Sequence, residues 1–492
     1  MWWMRSGSSA EVAAALHIRE IKPWAQLHHS ELALACGPMD AVHTTDGVPA
    51  QGLHVIRLYS DPTASGGAAA NASDAFEGVT KTAYTFVDGV TTKSPPMMDV
   101  PQPRTSMTDW FQSLRTTVEL QRPALHKRLQ EDSLLSSFVA GELKSGELKT
   151  EAAQWRAYSP YGTPLKKPED FTHALHECGT VYVFEGGSFM WPGVQVGYNR
   201  TLQDTSGWEV RLTTMSLQPL AFTLEGLLSD AECDAVVSDA EAHNAVGQSL
   251  KIGKENWSNP ARTSSFGLLP VVNGQPTEHV RRMERRAHQF IQKPMNSGEA
   301  LQINRYWPGE RFSSHADFFE PARYVRDNHP DVEVNKMLRR KRNRLLTMIW
   351  YLNDTPGGGG ETHFMNANGG LERNLQEIAQ RKLTIRPNGP GAVGFSPFEL
   401  GKDSSLNGLD LQCQNVSDSW GLKVRPVRGN ALLFYSLRPD GAIDLFSEHA
   451  GCPPEVETKW AATKWVWTHR CSKSQWNKFP WGSVGSESEK NQ

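Results

Sequence analysis

The sequence predicts an α+β chain whose C-terminal half is an antiparallel β assembly supported by helices. Two observations carry that expectation. From Leu301 onward, strand-like runs such as Leu301, Ile303 and Arg305 are punctuated by Gly/Pro turns such as Pro308-Gly309. Ahead of them lie amphipathic helical patterns, with apolar residues recurring on one face between charges. Strand runs joined by short turns favour antiparallel pairing, and the helices then cover one face of the sheet.

Composition sets the outer bounds. The chain has 492 residues, 38% apolar and 21% charged, which fits a folded globular protein of two to four domains rather than a disordered chain. A net charge of -3 and a pI near 6.6 give no overall pull toward nucleic acid or an anionic membrane. No apolar run approaches the ~20 residues of a membrane span. The N-terminus shows no apolar segment behind a basic start, so the expected compartment is the cytoplasm. Six scattered cysteines without a Cys-x-x-Cys spacing read as buried free thiols, with a bridge or two left open.

Taken in order, residues 1–105 are loop-rich, with a Gly/Ala stretch at 63–71 and a Pro-rich one at 94–103. His28-His29 lacks a third ligand at a useful spacing and reads as surface histidine. Residues 106–205 form a second unassigned region. Trp110, Phe111, Leu114, Leu125 and Leu129 recur at helical spacing, then Thr180-Val-Tyr-Val-Phe184 and Val194-Gln-Val196 read as strands. A third region spans 215–472, and a polar tail fills 473–492. The third region opens with the strand-like Leu220-Ala-Phe-Thr-Leu224. Ser229-Asp-Ala-Glu232 follows as a capping box, opening a helix with Cys233, Val236, Val237 and Ala240 on one face. A second helix places Met283, Ala287, Phe290 and Ile291 inward and Arg281, Arg282, Arg285 and Arg286 on a basic outer face.

Two glycine- or charge-rich stretches invite other readings. Gly357-Gly-Gly-Gly360 lacks the Lys-Ser/Thr ending and following helix of a phosphate loop, so it reads as a hairpin turn into Glu361-Thr362. The run Lys336 to Arg344 holds six cations in nine residues. With no aromatic platform beside it and an acidic chain overall, it reads as a solvated basic loop and not a nucleic-acid site. Its place in a long connection suits a mobile lid that prefers acidic flanks on a substrate. The insert 366–420 reads as surface loop.

The chemistry concentrates in Tyr306-Trp-Pro-Gly-Glu-Arg-Phe-Ser-Ser-His315-Ala-Asp317. Side chains at i and i+2 of a strand share a face, so His315 and Asp317 can converge on one point. One His and one carboxylate are two-thirds of the facial triad that binds Fe(II) and keeps coordination positions open. His449 supplies a third ligand candidate, and Lys459 follows ten positions later. With Leu227 to Cys233, Arg262-Thr-Ser-Ser265, Thr347 to Leu352, Gly359-Gly-Glu-Thr362, Val427 to Tyr435, His449-Ala-Gly-Cys-Pro453 and Thr463-Lys-Trp465, the order and spacing of blocks from about 219 to 468 resemble the prolyl 4-hydroxylase branch of the Fe(II)- and 2-oxoglutarate-dependent dioxygenases.

That resemblance implies a double-stranded β-helix, or jelly-roll, of two sheets. It implies Fe(II) on His315, Asp317 and His449, with 2-oxoglutarate and O2 at the open positions. Lys459 would pair with the far carboxylate of 2-oxoglutarate, Tyr306 and Thr347 would hydrogen-bond the same carboxylate, and Trp465 would lie beside the cosubstrate. The intact carboxylate at Asp317 points to hydroxylation rather than halogenation. The implied activity is 4-hydroxylation of peptidyl proline with release of succinate and CO2, sustained by L-ascorbate. The alternatives are hydroxylation of another peptide residue or a free amino acid, and an inactive interaction protein on the same fold. Many relatives work in the endoplasmic reticulum, which is the alternative compartment should the N-terminus be incomplete.

Overall fold

The computed structural model describes, with short breaks, residues 17–18, 52–60, 81–86, 97–101, 106–130, 155–193, 196–242, 263–319, 342–367 and 421–470, together with Leu338 and Cys413. His28-His29, most of the basic run, most of the 366–420 insert and the polar tail lie outside the described residues. The chain forms two compact units, one comprising Ser8–Gln195 with Arg438–Ala442, the other Val196–Leu437 and Ile443–Gln492 with the first seven residues.

In the first unit, strands β1 (Leu53–Ser60), β2 (Lys81–Phe86), β3 (Met97–Asp99), β4 (Arg156–Tyr158), β5 (Pro164–Leu165) and β6 (Thr180–Phe184) form one sheet in the order β3-β2-β1-β6-β4-β5. Its neighbours pair antiparallel. Helices α1 (Met107–Gln130) and α2 (Pro168–Glu177) accompany it. The periodicity read from the sequence has a direct counterpart: Trp110, Leu114 and Val118 are buried against Trp155, Phe171 and Val183. Strands before and after residue 105 share this sheet. The composition change there therefore marks a connection inside one unit, because β1 finds its partner β6 more than a hundred residues away.

Among its described residues the second unit carries two large sheets and a two-stranded ribbon of Val271–Val272 and Gln275–Pro276. The larger runs β7 (Asn199–Gln203), β8 (Glu209–Leu217), β9 (Leu220–Glu225), β16 (Ala431–Tyr435), β13 (Arg344–Tyr351), β18 (Lys459–Trp467), β11 (Gln302–Tyr306) and β10 (Ser265–Leu268) in that spatial order. The smaller runs β12 (Phe312–His315), β17 (His449–Gly451), β14 (Thr362–Phe364) and β15 (Leu422–Val424). Ladders in both are antiparallel. Tyr351, Phe364, Leu422, Val424, Leu432 and Phe434 pack together from both sheets, giving the facing-sheet core of a jelly-roll.

Helix α3 (Asp230–Ala242) starts where the sequence places it. Ser229 N donates to Glu232 Oε2 at 2.9 Å and Glu232 N to Ser229 Oγ at 3.2 Å, the reciprocal bonds of a capping box. Helix α4 (Glu278–Phe290) is tied to β18 by the buried ion pair Lys464–Glu284. Lys464 lies between Thr463 and Trp465, both of which line the central cavity, so strand alternation puts α4 on the outer face of the larger sheet. One residue departs from the expected basic face of α4. Arg286 is buried, bonded to both oxygens of Glu232 at 3.0 Å and lying over the Trp208 ring, so it joins the two helices instead of facing solvent.

A point the sequence leaves open is decided, and one further expectation changes. Cys413 and Cys452 form a disulfide, while Cys233 is a buried free thiol that burial pushes up to about 11. Arg344, the last cation of the basic run, belongs to β13 and is bonded to both carboxylate oxygens of Glu299 at 2.6 and 2.8 Å. Among the described residues no helix is long and apolar enough to cross a membrane.

Candidate metal centre and active site

Two strands of the smaller sheet bring the histidines together. In the β12–β17 ladder His315 sits directly opposite His449. Their imidazoles lie 4.4 Å apart, centroid to centroid. Asp317 leaves the end of β12 two residues on and completes the cluster. His315 Nε2 is 3.8 Å from Asp317 Oδ1, and His449 Nε2 is 3.7 Å from Asp317 Oδ2. One ligand atom from each residue falls within 4.8 Å of the others, and all three residues are buried.

The surroundings fix how these groups point. His315 Nδ1 meets the Ser313 carbonyl at 2.9 Å, and His449 Nδ1 meets the Ser447 carbonyl at 3.0 Å. A carbonyl only accepts, so each Nδ1 carries the proton and each Nε2 keeps its lone pair for a cation. Phe312 stacks on the His315 ring at 3.7 Å, and Phe434 meets His449 edge-on at 4.7 Å. Burial alone would push the Asp317 carboxyl up. His449, His315, Arg344 and a hydrogen bond from Thr347 outweigh it and hold the group below the usual carboxylate range. Two imidazole Nε2 atoms and a carboxylate, buried and turned toward one point, are a donor set that fits Fe(II).

The cavity beside this cluster is lined across the larger sheet by alternate residues of neighbouring strands: Gln302, Asn304 and Tyr306 of β11, and Lys459, Ala461, Thr463 and Trp465 of β18. The register Tyr306↔Lys459 sets those two side by side at one end of the cavity. The Lys459 ammonium lies 5.0 Å from the Tyr306 ring and 5.6 Å from that of Tyr351, and only 2% of the residue is exposed. Burial lowers its pKa to about 8, against the opposing pull of Glu361. Trp465 lies at the far end of β18, where Arg344 stacks on its ring at 4.3 Å. Its buried indole N–H has no hydrogen-bond partner among the described residues.

Of the seven residues singled out from sequence, six line this cavity: Tyr306, His315, Asp317, His449, Lys459 and Trp465. Thr347 sits elsewhere. Its hydroxyl donates to Asp317 Oδ2 at 2.7 Å, and its strand neighbour is Trp465, four positions along β13 from Tyr351. Thr347 therefore orients the carboxylate of the cluster and stands away from the Lys459 end. The hydroxyl nearer that end belongs to Thr362, which lines the cavity and shares a 2.9 Å hydrogen bond with Tyr351. The Gly359-Gly-Glu-Thr362 block contains it, but the residue types alone did not mark its role. The glycines of this block make a tight turn. Gly359 has φ 73°, and a side chain there would strike the Pro453 carbonyl. Close approach of this turn to 452–454 is sealed by Gly360 N to Pro453 O at 2.9 Å and Cys452 N to Glu361 O at 2.8 Å.

Comparison with known proteins covers this same half of the chain. The profile of the 2OG-Fe(II) oxygenase superfamily matches residues 301–467, from β11 through β18. Prolyl 4-hydroxylase 2 of Arabidopsis thaliana is 31% identical over 265 residues, covering 52% of this chain and 70% of that protein. Probable prolyl 4-hydroxylase 8 of the same plant is 30% identical over 262 residues, covering 52% and 72%. Among solved structures, the viral collagen prolyl hydroxylase of Paramecium Bursaria Chlorella virus-1, in its 2OG complex, is 19% identical. It aligns over 51% of this chain and 96% of its own, with a TM-score of 0.30.

Proposed function

We infer that this chain, which belongs to the prolyl 4-hydroxylase family of 2OG-Fe(II) oxygenases, hydroxylates proline in a peptide substrate, with His315, Asp317 and His449 holding Fe(II) and Lys459 holding the far carboxylate of 2-oxoglutarate. The observation that carries this reading is the convergence of three ligand atoms within 4.8 Å at the wall of a cavity whose other end offers a buried ammonium. With metal and cosubstrate bound, the site supplies oxidative decarboxylation of 2-oxoglutarate to succinate and CO2, coupled to insertion of one oxygen atom into a substrate C–H bond.

The chain's own residues bind, orient and exclude water. Lys459 gives a charge-assisted hydrogen bond to the far carboxylate, and the Tyr306 and Thr362 hydroxyls satisfy its remaining lone pairs. Thr347 and the aromatic rings packed against both histidines hold the ligand atoms before the metal arrives, which lowers the ordering cost of binding. Phe312, Ile349 and Ala461 line the cavity with apolar surface and keep its electrostatics strong. Trp465 and its free indole N–H stand at the end away from Lys459, where a peptide would meet the cosubstrate.

The test is mass spectrometry of a proline-containing peptide panel incubated with protein, Fe(II), 2-oxoglutarate and L-ascorbate, with ascorbate expected to sustain repeated turnover. A gain of one oxygen on proline, stoichiometric with succinate, is expected. Oxygen placed on lysine, or on a free amino acid only, would replace the proline assignment, and succinate formation that no substrate stimulates would remove it. Thr362→Val is expected to raise the 2-oxoglutarate KM about tenfold, the low end of the ~1.5–3 kcal/mol carried by a hydrogen bond to a charged group. An unchanged KM would take Thr362 out of the cosubstrate pocket.

A further inference from the structure

The strand that carries His315 is weakly tied to its sheet. β12 has four residues and lies at the edge of the smaller sheet, and its ladder with β17 registers only at Phe312↔Gly451 and His315↔His449, with an irregularity between. An edge strand has no second neighbour to hold it, so its spacing from β17 rests on that ladder and on side chains. A metal site tolerates little slack: its ligand atoms must stay within roughly 0.5 Å of the working geometry. Something beyond the backbone has to keep the two imidazoles apart by the right amount.

The neighbours of the two histidines do this. Ser314 precedes His315 and Glu448 precedes His449; alternation turns both away from the cavity, and neither lines it. Ser314 Oγ donates to Glu448 Oε1 at 2.5 Å, linking residues 134 positions apart. The Asn366 side chain, just beyond β14, gives Glu448 a further hydrogen bond. Glu448 thus sits in a row across β12, β17 and β14, with 3% of its surface exposed and 9% of that of Ser314. A buried carboxyl is costly unless its oxygens are satisfied, and here they are satisfied by Ser314 of β12 and by Asn366 just beyond β14.

We propose that Glu448 is a positioning residue for the metal centre, bolting the edge strand of His315 to the strand of His449 through Ser314. The inference rests on the three-ligand reading above and adds to it a determinant of metal affinity that touches neither metal nor cosubstrate.

The experiment measures Co(II) affinity and the visible Co(II) spectrum of the folded protein, alongside its melting temperature without metal. Ser314→Ala and Glu448→Leu are each expected to weaken Co(II) binding roughly 10- to 100-fold, as loss of an outer partner does, and to shift the spectrum as the ligand geometry loosens. Glu448→Gln keeps an acceptor for Ser314 and should stay within a few-fold of the parent. Because both residues act through one bond, the double variant should bind no more weakly than the worse single one. Should Glu448→Leu fail to fold, Ser314→Ala, which deletes one oxygen, decides the matter. Co(II) affinity and spectrum unchanged in Ser314→Ala overturn the proposal, even if its melting temperature falls. A parent that takes no Co(II) overturns the ligand reading and this inference together; a parent that binds, with variants that bind equally, overturns this inference alone.

Discussion

Asp317→Ala should abolish metal-dependent conversion of 2-oxoglutarate to succinate while leaving a folded protein. The carboxylate of Asp317 is the single anionic ligand in the cluster, and it lies between the two imidazoles at 3.7 and 3.8 Å. Its removal leaves two imidazole nitrogens, too few to hold a divalent cation against water. Metal affinity is therefore expected to fall by more than the ~10–100-fold that an outer partner costs. The fold should survive, because the same carboxylate is a buried charge whose desolvation is repaid by groups gathered for the site rather than for the core. A direct readout is thermal stability with and without Fe(II) under anaerobic conditions. The parent should gain about 2.7 kcal/mol at a metal concentration of 100 Kd, and the variant should gain nothing. His315→Ala and His449→Ala are expected to behave alike. A variant that kept both its metal-induced thermal shift and its succinate production would remove that residue from the ligand set.

The difference between what could be read in the sequence and what could not follows from the range of the interactions involved. His315 and Asp317 are legible because a two-residue spacing on a strand is a local fact. His449 and Lys459 became legible through the ordered blocks around them. Thr347 is a different case: the sequence marks a hydroxyl on an inward strand, but not which end of the cavity it faces. That depends on β13 lying beside β18, with Thr347 opposite Trp465. Arg344 was counted with the charges that precede it, yet its partner Glu299 lies 45 residues upstream and draws it into a strand. The Ser314–Glu448 bond spans 134 residues and the sheet of the first unit joins strands more than a hundred apart. Composition and periodicity carry no record of such pairs. The Cys413–Cys452 bridge is the same kind of fact, since a spacing of 39 gives no sign of a shared partner.

The second large effect is expected at Lys459, where the pH dependence identifies the group. Burial lowers the ammonium from the ordinary 10.5 to about 8, opposed only in part by Glu361. A carboxylate binds the protonated form, so 2-oxoglutarate affinity should be highest below pH 8. Above it, KM should rise about tenfold per pH unit until the pKa of the bound state is reached, because each proton must first be supplied. Stability of the cosubstrate-free protein runs the other way. Between about 8 and 10.5 the unfolded chain holds the proton that the folded one has released, so this group makes the fold more stable as pH rises through that window. Lys459→Met keeps the length of the side chain and removes the charge. It is expected to raise the 2-oxoglutarate KM roughly 10- to 100-fold at neutral pH, the equivalent of ~1.5–3 kcal/mol for a hydrogen bond to a charged group. It should also flatten both pH profiles relative to the parent. Lys459→Arg keeps the charge but must fit a planar fork between the Tyr306 and Tyr351 rings, so its recovery should be partial. A parent whose KM stays level from pH 7 to 9.5, or a Lys459→Met variant with the parent's profile, would mean that another cation receives the carboxylate.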